Sequence, residues 1–212
     1  MKERPILFNT PMVRAVLEGR KSQTRRVIKP QPKWFYGGMP IKTADADPNG
    51  VIRCPYGSVG TRLWVRETWA ALHRYDHLSP KDIPKNGEGF VHHKATWSGP
   101  CGLIWRRSIH MPRWASRITI EVVDVRVERV QDISEDDAEA EGVDAISLDA
   151  IPRQATWSRK KDFAQLWDFI NMKRGCGWSV NPWVWVVDFK VVNDELCGSF
   201  QRPPPMRVSE VA

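Results

Sequence analysis

The sequence predicts an α+β fold in which a few strands of uneven phase are packed by short helices, and three observations carry that reading. Arg117 to Val130 is rich in β-formers, but its apolar phase runs Ile118, Ile120, Val122 and then switches to Val123, Val125, Val127. A change of phase within one run requires a bulge or a sharp coil, as in the strands of small barrels. Trp183 to Val192 alternates Trp183, Trp185, Val187, Phe189 and Val191, the period of a half-buried strand. Phe163, Leu166, Trp167 and Ile170 recur at the spacing of an amphipathic helix.

The remaining elements follow in chain order. Ile6-Leu7-Phe8 is a short apolar run, after which Thr10-Pro11 supplies an N-cap and a proline at the first helical position. Met12, Val13, Val16 and Leu17 share a helical face, and Gly19 suits the residue just past the helix end. Pro30 to Pro55 is rich in Pro, Gly, Asp and Asn and reads as a first long insertion with little regular structure. Arg62 to Trp69 alternates, with Leu63, Val65, Glu67 and Trp69 on one face. Glu67 on that apolar side needs either an open strand end or a partner. His73 to Pro112 forms a second insertion with a few short strands. Ile133-Ser134-Glu135-Asp136-Asp137 is close to a capping box and opens an acidic helix that stops at Gly142. Glu141 lies three residues from Ala138 and shares its inward face, whereas Glu139 turns away. Residues 1–192 read as a single domain, with insertions near 30–55 and 73–112; residues 193–212, with a triple proline, read as a disordered tail.

Composition narrows the partners. Lys and Arg number 32 against 25 Asp and Glu, a formal charge of +7, which suits a polyanion. Eleven tryptophans provide flat surfaces for a core or for stacking on bases. Four cysteines lie far apart with no CxxC pair, as expected of reduced thiols in a cytoplasmic protein. No run approaches the ~18 apolar residues of a membrane span, so no membrane is expected. Cys54, His92, His93 and Cys101 match no standard zinc spacing, and neither a metal nor a cofactor is expected.

The chemistry concentrates in Glu18-Gly19-Arg20-Lys21-Ser22-Gln23-Thr24-Arg25-Arg26. By itself the segment is either a solvated basic turn or the lining of a cleft. Arg25 and Arg26 suit a phosphate or the face of a base. Arg66 and Glu67 suit either a base edge or an ion pair at the end of a strand. Trp69 and Trp114 are core or stacking platforms. His110 and Arg117 belong to the same cleft or merely order a loop.

Several stretches together resemble the ASCH family, a branch of the PUA-like small β-barrels, and its larger phage and prophage members in particular. They are Gly19-Arg20-Lys21 with Thr24 and Arg25, Gly60-Thr61-Arg62-Leu63-Trp64-Val65, Ser108 to Arg117, Ala140-Glu141-Gly142, and Trp183 to Phe189. The resemblance implies a barrel of about five or six strands with helices at its ends, and a cleft for RNA, a nucleotide or a nucleoside. A small bacterial member is an amidohydrolase that deacetylates N4-acetylcytidine, and its Lys, Thr and Glu correspond to Lys21, Thr24 and Glu141. The resemblance thus implies a Thr24 nucleophile, a Lys21 base and a Glu141 acid, with Arg20, Arg25, Arg26, Arg66, Glu67, Trp69, His110 and Arg117 as substrate-binding residues. Non-catalytic RNA binding and metal-independent RNA cleavage, also reported in the family, are the alternatives. For Lys21 to act as a base its pKa of ~10.4 must fall by about 3 units, through desolvation and the neighbouring arginines. Residues three apart on a flat strand face opposite ways, so a joint Lys21 and Thr24 site requires irregular backbone between Gly19 and Gln23.

Overall fold

A computed structural model of the chain describes residues 3–41, 50–84, 91–99, 102–143 and 158–192. The strands are β1 (Arg4–Leu7), β2 (Gln23–Val27), β3 (Trp34–Tyr36), β4 (Met39–Ile41), β5 (Arg62–Arg66), β6 (Trp69–Ala71), β7 (Val91–His93), β8 (Thr119–Arg129) and β9 (Trp183–Val192). The helices are α1 (Thr10–Leu17), α2 (Glu135–Ala140) and α3 (Arg159–Asn171). The fold is α+β: one five-stranded sheet in the order β1-β5-β8-β9-β2, and the two-stranded sheets β3-β4 and β6-β7. Of the pairings in the large sheet, β1 with β5 is parallel and the others are antiparallel.

The phase switch is a bulge. Val122 pairs with Phe189 and Asp124 with Asp188, leaving Val123 unpaired and 49% exposed. The inserted residue resets the pleat, so Ile120 and Val122 before it and Val125 and Val127 after it all join the core that holds Trp185, Val187 and Phe189. The opposite face, with Val184 and Val186, is covered by Ala138 of α2 and by Phe163 and Trp167 of α3. Two hydrophobic cores thus sandwich one sheet.

That two-sided burial sorts the residues of β2. Thr24 and Arg26 pair with Val187 and Trp185 and share the face of the main core, while Gln23 and Arg25 pair with Asp188 and Val186 and face the helices. In a flat sheet the edge strands β1 and β2 would stand about 19 Å apart at ordinary strand spacing. Yet Arg26 Nη2 donates to Leu7 O at 2.7 Å, and its guanidinium lies 5.8 Å above the Phe8 ring. The sheet therefore coils until its edges come within one side chain of each other.

Some elements differ from the sequence reading. The cap of α1 is Asn9, whose side chain accepts from Met12 N at 2.9 Å, and Thr10 already lies in the helix. Asn9 and Thr10 both suit an N-cap, and the amide oxygen wins by one position. The run Arg62 to Trp69 breaks into β5 and β6, because Glu67 leaves the ladder to reach an arginine. The first insertion contains the β3-β4 hairpin, and β7 in the second pairs with β6. The expected tail at 193–212 lies outside the described residues. Among the described residues no helix is long and apolar enough to cross a membrane.

Candidate functional site

The end of α1 positions Lys21. Glu18 caps the helix and Gly19 takes φ +72°, and then Arg20 N and Lys21 N both donate to Ala15 O, at 2.9 and 3.0 Å. Ser22 N donates to Ala140 O at 2.9 Å, and strand pairing begins only at Gln23. The backbone between Gly19 and Gln23 is thus irregular, which turns Lys21 inward under the end of α2.

Glu141 caps that helix end and Gly142 follows at φ +74°. A Cβ on Gly142 would stand 2.9 Å from Ala15 Cβ and 3.1 Å from Lys21 Cβ, so glycine permits the close approach. Lys21 Nζ donates to Gln23 O at 2.7 Å, Glu141 O at 2.8 Å and Glu141 Oε2 at 2.7 Å. All three ammonium hydrogens are used, in a site where the Lys21 side chain has no exposed surface. Burial draws the Lys21 pKa below its ordinary value; the charge and hydrogen bond of Glu141 oppose this, and Arg26 and Arg25 add to it. Glu141 touches Lys21 directly, with no water between them. Arg20 is exposed and pairs with Glu18, so it stands apart from the buried pair.

The second oxygen, Glu141 Oε1, is buried without a hydrogen-bond partner, and Arg25 Nη1 is 3.7 Å away. Arg25 is held back by other bonds. Its Nη2 reaches Asp137 Oδ2 at 2.9 Å and Glu128 Oε2 at 3.2 Å, and its Nη1 donates to Gln23 Oε1. Gln23 Nε2 in turn donates to Asp137 Oδ1 at 2.9 Å and Asp188 Oδ1 at 2.6 Å. Arg126 completes the lattice on Glu128, Asp137 and Asp188. Burial raises the Asp137 carboxyl pKa, but Gln23, Arg25 and Arg126 outweigh it and hold the group below its ordinary value.

Glu141, Thr24, Arg25 and Arg26 line one cavity of about 320 Å³ between the coiled sheet edge and α3. Its walls include Phe163, Leu166, Trp167 and Tyr56, and Lys29 and Arg174 stand at exposed positions around it. Among the described residues the Thr24 hydroxyl makes no hydrogen bond, and Lys21 Nζ in particular does not reach it. The cavity combines aromatic walls with Thr24 and Glu141 as polar lining residues, a set suited to a polar heteroaromatic group.

The other expected binding residues lie elsewhere. Glu67, 1% exposed, forms a fork with Arg117 at 2.9 and 3.2 Å, and Arg117 also donates to Thr96 Oγ1 at 3.0 Å. Trp69 is fully buried in a separate core and meets Trp114 edge to face at 6.2 Å. Arg66 stacks 4.6 Å above Trp64 and donates to Ile109 O, and His110 is exposed. None of these lines the Thr24 cavity. In the cysteine and histidine set, Cys101 lies outside the described residues, among which no three His, Cys, Asp or Glu side chains group as a metal site.

The sequence places Gln23 in the basic segment without a role of its own, and gives none to Asp137, Glu128, Arg126 and Asp188 in the site. One signal was present: past the bulge, Asp124, Arg126 and Glu128 alternate in sign opposite the apolar phase.

No family model matches the chain, and no curated protein matches it. The crystal structure of a protein from Enterococcus faecalis, described by the family model DUF984, is similar at a TM-score of 0.43 and 11% identity, over 91% of this chain and 82% of that one.

Proposed function

We propose that the chain is an ASCH-type, PUA-like barrel whose cleft takes a cytosine nucleoside or nucleotide and hydrolyses the amide of an N4-acylated cytidine. The coiled sheet, bridged from edge to edge by Arg26, supports the small barrel of five or six strands. One observation carries the activity: Glu141 keeps an unpartnered, buried carboxylate oxygen at a cavity shared with Thr24, while Lys21 occupies its other oxygen. An unsatisfied buried carboxylate oxygen is costly, and a ligand N–H relieves it.

In this reading Lys21 and Glu141 act as one unit. One proton is shared between Nζ and Oε2, so the pair can take up or give a proton without breaking its bonds to Gln23 O and Glu141 O. Thr24 Oγ1 attacks the acyl carbon and its proton passes to the pair through the substrate-filled cavity. The bond from carbon to N4 breaks, and N4 leaves with the proton that the pair returns. Water then cleaves the acyl ester, releasing the carboxylate and restoring the hydroxyl. Arg26 and the Tyr56, Phe163 and Trp167 rings hold the base.

A second reading, recognition without turnover, is favoured by the Thr24 hydroxyl having no bond to Lys21. The two separate on N4-acetylcytidine turnover by the full chain, assayed beside cytidine binding. Turnover that falls at least 100-fold in Thr24→Ala and Glu141→Gln, both folded, supports hydrolysis. Binding without turnover leaves recognition alone. Cleavage of RNA that persists in Thr24→Ala would replace both with a nuclease.

A further inference from the structure

We infer that the β3-β4 hairpin of the first insertion is a stacking platform for the nucleotide next to the one in the cleft, so that the substrate is a single-stranded polynucleotide rather than a free nucleoside. The inference rests on the nucleoside reading of the cleft.

The platform is an aromatic and cationic stack on the outer surface. The Arg129 guanidinium lies 4.2 Å over the Trp183 ring, and the Phe35 ring packs on Trp183 at 4.5 Å. Phe35 remains 40% exposed on a strand of three residues, and its neighbour Trp34 belongs to the other face of that strand. A hairpin so short is marginal by itself, and the exposed face of the Phe35 ring adds little to its stability. Its exposure makes sense as a surface that accepts a flat partner, since every base has a face that stacks on an aromatic ring.

The stack is rigidly tied to the cleft. The Gln31 amide holds the Trp183 backbone at two points, with Nε2 donating to Trp183 O at 3.0 Å and Oε1 accepting from Trp183 N at 2.7 Å. Ile28 N also donates to Trp183 O, and the next residue, Lys29, lines the cavity. Lys29, Trp183 and Phe35 are thus joined in one connected set, which links the cavity to the hairpin.

Charge identifies the occupant. Arg25, Arg126 and Arg117 are all neutralised by carboxylates within the fold. By contrast Lys29, Lys33 and Arg174 are exposed, and among the described residues they form no ion pair. Lys29 and Arg174 belong to the cavity, and Lys33 immediately precedes the hairpin. Free cations interleaved with exposed aromatic rings suit a phosphate backbone carrying unpaired bases, and RNA and single-stranded DNA share that chemistry.

The test is fluorescence anisotropy on the full chain with labelled oligonucleotides of increasing length, RNA and DNA in parallel, beside turnover of free N4-acetylcytidine. Strand affinity is expected to exceed that of cytidine by about 100-fold, with Phe35→Ala costing about tenfold for the strand and nothing for nucleoside turnover, and with Trp34→Ala changing neither. Phe35→Tyr should retain strand affinity. Lys29→Ala or Arg174→Ala should reduce the slope of log affinity against log salt by about 0.7 each. Nucleoside activity with no gain from strand length, or strand binding indifferent to Phe35→Ala, overturns the platform and leaves the cleft reading intact. Absence of binding and turnover for both nucleoside and strand overturns the cleft reading itself.

Discussion

Lys21 Nζ and Glu141 Oε2 meet at 2.7 Å across 120 residues of sequence, and neither group has appreciable contact with solvent. Each charge is tolerable there because the other is present. Lys21→Met strands a buried carboxylate and is expected to cost about 3–5 kcal/mol. Glu141→Gln leaves a carbonyl to accept from Nζ and should cost less. The double variant Lys21→Met with Glu141→Leu should recover most of the loss. Urea unfolding of the four proteins reads the coupling directly, and additive losses would show that the pair is not a thermodynamic unit.

Alkaline pH should reveal the same burial. Lys21 titrates below its unfolded value of 10.5 because burial penalises its charge. Between the folded pKa and 10.5 the unfolded chain holds the extra proton, so Lys21's share of stability is lowest below that window and rises with pH across it. Relative to Lys21→Met, the wild type should therefore gain stability from pH 7 towards pH 10 in urea titrations. A pH-independent difference would show that burial does not penalise the ammonium.

How much of this site was legible depended on whether its signals were local. The switch from Val122 to Val123 located the bulge because phase is a property of neighbouring residues. The spacing of Ala138 and Glu141 placed that carboxylate inward for the same reason, and Glu139 does point out to Arg159. The lattice of Gln23, Arg25, Asp137, Glu128, Arg126 and Asp188 was not legible. Charges alternating along β8 look like a solvated face until α2 is laid over them. Glu67 was seen to need a partner, but Arg117 is 50 residues away, beyond the second insertion, so only the fold could supply it. The capping residue of α1 was missed by one position because Asn9 and Thr10 are equally good acceptors by type.

Gly142 should be as necessary as the pair it admits. Any side chain there must adopt left-handed backbone, worth about 1–2 kcal/mol, and must also displace Ala15 or Lys21. Gly142→Ala is expected to cost more than 2 kcal/mol and to weaken cleft function along with it. Gly175, also left-handed at φ +71°, has open space around it, so Gly175→Ala isolates the backbone penalty. Comparing denaturation midpoints of the two variants separates strain from clash, and equal losses would mean that α2 shifts freely away from Lys21.

The fork between Glu67 and Arg117 should behave as structure rather than as part of the cleft. Glu67 is buried and leans on Arg117 for its charge, so Arg117→Met should cost roughly 3 kcal/mol. Turnover or binding in the Thr24 cavity should be unchanged, because neither residue lines it. His93 provides a local reporter. Burial lowers its pKa, Glu67 raises it and Arg117 lowers it. Removing Arg117 leaves the raising influence of Glu67 unopposed, so His93 should titrate at higher pH in Arg117→Met and at lower pH in Glu67→Gln. An NMR titration of the histidine ring protons measures both shifts. If instead Arg117→Met abolished nucleoside binding while stability and the His93 titration stayed as in wild type, Arg117 would belong to the ligand site and not to the fold.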